Sequence, residues 1–161
     1  MTQRRYSLAK IQDGVRYEID TDRARLDIGK VHDFLSQSHW ARGIPLMVVE
    51  RSIANSLAFG LYRDGKQIGF ARVVTDRATF AYLADVFVLP EARGLGLGRW
   101  LVDSILAHPG LQGLRRWLLG TKYARGLYES IGFSEPPSPF AFLEKLDSEV
   151  YERPGRLRKA G

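Results

Sequence analysis

The stretch Val86-Phe87-Val88-Leu89-Pro90-Glu91-Ala92-Arg93-Gly94-Leu95-Gly96-Leu97-Gly98-Arg99 joins an apolar run, a proline stop and three alternating glycines. It reads as a buried strand, a glycine-punctuated loop and the first turn of a helix. A helix N-terminus leaves N–H groups unpaired and carries partial positive charge, so it suits an anion. Gly94, Gly96 and Gly98 remove side chains that would keep a phosphate from the backbone, and Arg93 and Arg99 add formal positive charge. No acidic residue competes in the first helical turn. The chemistry expected here is backbone capture of a pyrophosphate. A strand-to-helix turn that merely needs glycine to close is the plainer alternative, but three glycines, two arginines and the strand–loop–helix order weigh against it. The loop is not a Walker A motif, because the Gly-Lys-Ser/Thr ending is missing. It is not a dinucleotide fingerprint either, since Arg99 stands where the third glycine belongs.

Just upstream, Asp85 interrupts the apolar strand Leu83-Ala84-Asp85-Val86-Phe87. An unpaired buried carboxylate is costly, so Asp85 should be paired, solvated or functional, and period-2 alternation does not choose among these. Cysteine is absent, which excludes disulfides, thiolate metal sites and a cysteine acyl-enzyme. His32, His39 and His108 are not at metal-ligand spacings, and no metal is expected.

The elements that must position these groups follow from periodicity and turn residues. Tyr6 to Asp20 alternates loosely around a turn at Asp13-Gly14. Asp27 to Ser38 and Leu46 to Asn55 have helical spacing, with Val31, Phe34, Leu35, Val49 and Ile53 among the inward residues. Leu57 to Arg63 and Gln67 to Thr75 flank the hairpin signal Asp64-Gly65, and Phe80 to Leu89 is a third strand. A helix over Gly98 to Ala107, a strand over Arg116 to Gly120, a helix near Ala124 to Ile131 and a last strand over Phe140 to Leu146 complete the order. That mixture predicts one α/β layer fold around a mixed sheet.

At 161 residues the chain suits one domain, expected over residues 1–150, with 151–161 as a solvated basic tail. No apolar run is long enough to span a membrane and no secretory signal begins the chain, so a cytoplasmic location is expected. The net charge of +6 is compatible with a polyanionic ligand. No basic stripe with interleaved aromatics argues for nucleic acid.

Two blocks now carry a resemblance. Arg93-Gly94-Leu95-Gly96-Leu97-Gly98 is similar to the R/Q-x-x-G-x-G/A signature of the GCN5-related N-acetyltransferase (GNAT) superfamily, and Val88-Leu89-Pro90-Glu91 to its lead-in. Gly126-Leu127-Tyr128-Glu129-Ser130-Ile131-Gly132-Phe133 resembles the family helix ending in L-Y-E-K-x-G-F. The pattern spans about residues 57 to 146.

The resemblance implies a mixed, mostly antiparallel sheet of about six to seven strands with helices on both faces, and acetyl-CoA as co-substrate. Backbone groups of Phe87 and Val88 would pair with the pantetheine arm, and N–H groups from about Leu95 to Arg99, Leu97 included, would hold the pyrophosphate. Tyr128 matches the tyrosine that protonates the departing sulfur, a neutral donor at pH 7. Asp85 is the candidate base, acting through water, or an electrostatic partner of the amine. The family often has an asparagine where Tyr123 stands, so any contact made by that asparagine is in doubt here. In this superfamily the first two helices and their loop shape the acceptor site, and here the loop offers His39, Trp40 and Arg42. A compact small-molecule amine is the expected partner, and sheet edges in such a fold leave room for a homodimer. A non-catalytic acyl-CoA sensor and a basic nucleic-acid-binding module are the competing classes.

Overall fold

The computed structural model describes residues 4–153, so most of the expected basic tail lies outside the described residues. Ten principal elements follow in order: β1 (Ser7–Gln12), β2 (Val15–Asp20), α1 (Ile28–Gln37), α2 (Leu46–Ala54), β3 (Leu57–Arg63), β4 (Lys66–Thr75), β5 (Phe80–Val88), α3 (Leu97–Leu106), β6 (Arg116–Leu118) and α4 (Arg125–Glu129). The six strands form one sheet in chain order, antiparallel from β1 to β5 and parallel between β5 and β6. Asp13 and Gly14, both at positive φ, close the first hairpin, and Asp64 and Gly65 close that of β3 and β4.

Each face of the sheet buries one core. Leu97, Leu101, Val102 and Ile105 of α3 pack on Ile19, Phe59, Leu61, Val73 and Leu83. On the other face, Val31 and Leu35 of α1 and Val49 and Ile53 of α2 meet Ala58, Phe70 and Phe87. Each fully buried Leu or Ile contributes about 1.5–3 kcal/mol relative to exposure. The inward residues read from periodicity in α1 and α2 are the ones that this second cluster holds. Asp27 caps α1 by accepting the Lys30 N–H at 3.0 Å.

β5 changes face midway. Phe70 pairs with Phe87 and Arg72 with Ala84, so Asp85 and Val86 together oppose Ala71. This is a β-bulge, and the extra residue moves the following side chains to the opposite face. Leu83 therefore belongs to the α3 core and Phe87 to the α1–α2 core. Gly69 permits the close approach of β4 and β5, since a Cβ there would lie 2.8 Å from the Phe87 carbonyl oxygen.

One expected element is absent. Residues 140–146 form no strand. Their alternation is strand-competent and β6 is an edge strand, yet no ladder among the described residues takes the segment in. The chain's folded part also crosses the expected boundary at 150: Tyr151 packs against the α1–α2 core.

His108 lies buried beneath Tyr6 and Phe59, with ring centroids 4.8 and 5.7 Å away. Its Nδ1 accepts the Gly110 N–H at 3.0 Å, which leaves the proton on Nε2, buried without a partner. Burial, and then the charge of Arg77, hold its pKa below the usual histidine value. Such a histidine supports the fold above the unfolded-state pKa of about 6.5 and loses that support as pH falls through its lower folded value. Wild-type protein should therefore lose stability between neutral pH and pH 5 more than His108→Gln does, as measured by urea unfolding at both pH values.

Candidate active site

The bulge and the loop after β5 bring the sequence-marked residues to one end of the sheet. β5 and β6 pair at only three positions, Phe80–Arg116, Ala81–Trp117 and Tyr82–Leu118. Beyond Tyr82, β5 continues to Val88 with no strand on that side among the described residues, so the two strands leave a cleft toward their carboxyl ends. The Leu89 N–H donates to the Ile68 carbonyl at 2.8 Å. By antiparallel alternation the backbone of Phe87 also faces β4, and that of Val88 turns toward the cleft. Of the two residues expected to offer backbone there, Val88 has its backbone on the cleft side by this alternation, whereas Phe87 faces β4 and stacks its ring on Phe34, 3.9 Å between centroids.

The glycine loop closes the cleft mouth. Gly94 and Gly96 both take positive φ, 78° and 74°, and Gly96 is the N-cap of α3. Glycine is the residue that adopts this conformation without strain at both positions. A Cβ at either would meet nothing within 4 Å, so the space in front of the loop is open. The first intrahelical bond runs from the Trp100 N–H to the Gly96 carbonyl, which leaves the N–H groups of Leu97, Gly98 and Arg99 without helical acceptors. Gly98 lies close to Val88, its Cβ position 3.7 Å from Val88 Cγ2. The Leu95 carbonyl accepts from Gln12 Nε2 at 3.3 Å, a brace from the first hairpin.

The two arginines differ from a simple pair of free cations. Arg93 Nε donates to the Val88 carbonyl at 2.9 Å and so ties the loop back to the cleft edge. Arg99 is held by Asp103 at 3.0 Å and by Ser130 Oγ at 3.0 Å, which joins α3 to the end of α4. Its charge is partly offset before any ligand arrives.

Asp85 is paired. Oδ2 accepts from Arg72 Nε at 2.5 Å and Oδ1 from Trp40 Nε1 at 2.9 Å, and the side chain is 9% exposed. Arg72 also reaches Ser56 Oγ at 3.2 Å. Asp85 sits at φ 53°, a left-handed conformation that costs an L-residue about 1–2 kcal/mol and that Asp tolerates better than most. Trp40 is half-exposed and lies edge-on to His39, which in turn lies edge-on to Tyr123, 5.5 Å away. The α1–α2 loop thus meets the β6–α4 loop over the bulge, with Tyr123 79% exposed. Arg72 and Tyr151 escaped the sequence reading. An arginine within Phe70-Ala71-Arg72-Val73, facing a strand with a lone aspartate, was the available signal for the first. Burial, and then the Asp85 carboxylate, raise the Tyr151 hydroxyl above its ordinary pKa, so this C-terminal residue belongs to the same surroundings.

Tyr128 is buried on α4, edge-on to Phe133 at 5.9 Å, and burial raises its pKa. It lines a groove of about 340 Å³ with Trp117, Leu118, Leu119, Phe133 and Phe142. The whole of β6, one bank of the cleft, lines that groove, and no residue of β5 or of the glycine loop does. Lys122 and Arg125 are engaged locally: Lys122 lies over the Tyr123 ring, and Arg125 bridges Glu129 and Glu135, both at 2.6 Å.

Residues 54–135, which contain everything from β3 to α4, match the acetyltransferase (GNAT) domain description. A Gibberella zeae protein assigned as an acetyltransferase is 33% identical, over 71% of this chain and 78% of that protein. The crystal structure of a GNAT-family protein from Xanthomonas campestris pv. campestris, also assigned as an acetyltransferase, is 50% identical with a TM-score of 0.81, over 85% of this chain and 97% of that one. Glucosamine-6-phosphate N-acetyltransferase of Arabidopsis thaliana shares the fold at 16% identity and a TM-score of 0.58, over 81% and 99% of the two chains. With a strand that bulges, a cleft beside it and a glycine loop at its mouth, this chain belongs to the GNAT acetyltransferase family.

Proposed function

We propose that the protein transfers an acetyl group from acetyl-CoA to the primary amine of a small molecule, by direct attack and without a covalent enzyme intermediate. The observation that carries this reading is the short β5–β6 ladder, which ends beside a positive-φ glycine loop and an open helix N-terminus. Val88 would offer strand-like hydrogen bonds to the pantetheine amides. The N–H groups of Leu95 to Arg99 would face the pyrophosphate, and Gly94 and Gly96 keep that space clear. The acceptor would enter from the side of Trp40 and Tyr123.

In transfer, the amine nitrogen bonds to the acetyl carbon and the carbon–sulfur bond breaks. Tyr128 would give its phenol proton to the sulfur and regain one from solvent. Burial favours the neutral phenol, which keeps that proton in place at pH 7. Asp85 would receive the ammonium proton through water. Both its oxygens already accept one hydrogen bond, yet a carboxylate has about four acceptor sites, so room for water remains. Cytoplasmic location fits the cysteine-free composition as part of the same proposal.

Three measurements test this reading. Tyr128→Phe should lower kcat by about 10²-fold or more with acetyl-CoA affinity retained, judged by thiol release and calorimetry. An unchanged kcat would remove Tyr128 from the chemistry. Gly96→Glu should weaken acetyl-CoA binding by about tenfold or more, through both backbone strain and charge, whereas Gly96→Ala carries the strain alone. Equal affinity in the two variants would discard the phosphate role of the loop. Asp85→Asn should lower kcat by about 10²-fold or more with acetyl-CoA affinity retained. An unchanged kcat leaves Asp85 only as a partner for Arg72 and Trp40.

A further inference from the structure

Arg72 is the basic partner of the proposed base, and only part of it is used. Its side chain is 20% exposed and that of Asp85 9%, so the pair sits at the lip of the core with little water around it. A guanidinium carries five N–H donors. Nε gives one to Asp85 Oδ2, and Nη1 gives one to Ser56 Oγ. Nη2 donates to no atom of the described residues, yet it is not sealed from solvent. Nη2 and the Nε proton share one edge of the planar group, so a ligand on Nη2 lies beside Asp85. The other well-buried carboxylate, Asp20, is different: it is fully buried and held by both Arg5 and Arg25.

Once Asp85 holds the ammonium proton, Arg72 has no carboxylate partner left among the described residues. A charge without a partner is strongly unfavourable where so little solvent reaches it. An acceptor that carries only an amine leaves that cost in place. An acceptor with its own carboxylate removes it, because Arg72, Asp85 and a zwitterion sum to zero before the proton moves and after. We propose that the acceptor is a free amino acid, its carboxylate on the Nη2 edge of Arg72 and its amine beside Asp85 across a water. This deepens the acetyl-transfer reading and rests on it, with Asp85 as the base. The arrangement suits an amine and a carboxylate on one carbon, since the two protein groups are themselves in contact. Transfer forms the bond from nitrogen to the acetyl carbon and breaks the carbon–sulfur bond. The nitrogen gives up two protons. The first passes through water to Asp85, which returns it to solvent; the second goes to solvent, from which Tyr128 recovers the one it gave to the sulfur. The carboxylate is unchanged and stays on Arg72 until the product leaves.

The test compares the common amino acids by thiol release from acetyl-CoA, each beside its decarboxylated amine and its carboxamide. Leucine, for example, is set against isoamylamine and leucinamide, and phenylalanine against phenethylamine and phenylalaninamide. The two comparators bracket the amino acid in amine basicity, so basicity alone cannot make it the best of the three. The preferred amino acid should exceed both by about 10²-fold or more in kcat/KM, because a site built for a charged group rejects analogues that lack it. In Arg72→Gln that ratio should collapse toward equality. Equal rates for the three compounds in the wild-type protein overturn the inference and leave acetyl transfer standing, and this arm needs no variant to fold. A preference that survives Arg72→Gln, with all three rates lowered alike, makes Arg72 only a support for Asp85 and overturns its role as carboxylate reader. Transfer confined to amines without a carboxylate, such as amino sugars, also overturns this inference alone. Thiol release with no amine of any kind overturns the acetyl-transfer reading with it.

Discussion

One extra residue in β5 organises the functional end of this molecule. Because Asp85 and Val86 share the place of a single residue opposite Ala71, the strand after them is rotated by one side-chain step. That rotation sends Phe87 to the α1–α2 core and aims the backbone of Val88 at the cleft. The bulge has its own cost, a left-handed aspartate, and the surroundings answer it with two hydrogen bonds, from Arg72 in the neighbouring strand and Trp40 in the α1–α2 loop. Remove those partners and a nearly buried carboxylate would remain in a strained conformation, which is several kcal/mol of trouble for a fold whose total margin is of the order of 10 kcal/mol.

The same pair explains how two distant parts of the chain come to share one site. Trp40 lies between α1 and α2, and Asp85 lies 45 residues later. Their hydrogen bond fixes the loop over the bulge, and His39 then reaches Tyr123 on the far bank. On the other side of the sheet, Arg99 and Ser130 tie α3 to α4, so the helix that carries Tyr128 is anchored to the helix that opens the glycine loop. The site is a junction of braced loops, each held by one or two polar contacts.

Much of this was legible in the sequence, and for identifiable reasons. Gly94 and Gly96 are where they are because their φ values demand it, and a demand of that kind leaves a residue-specific mark. The inward faces of α1, α2 and α3 follow from the 3.6-residue period, and the Asp64-Gly65 turn follows from its chemistry. What stayed hidden depends on tertiary register. The bulge has no glycine to announce it, so the reversal of Phe87 and Val88 could not be read from alternation. Arg72 becomes the partner of Asp85 only once the β4–β5 register is known. Arg99 looked like a free cation although Asp103 stands one helical turn on; only its second acceptor, Ser130, is distant, 31 residues away. The strand expected over 140–146 has a sound local pattern, but Phe140 and Phe142 meet the Arg116 guanidinium and no ladder among the described residues takes up the backbone.

The sheet is laid down in the order of the chain, each strand added beside the one before it. A polypeptide emerging from a ribosome can therefore zip this sheet progressively, with no strand waiting to be inserted between two others. β6 arrives last and pairs at just three positions, so the gap between it and β5 is the final feature to exist. Until about residue 118 has been made, the glycine loop faces a sheet with only one bank.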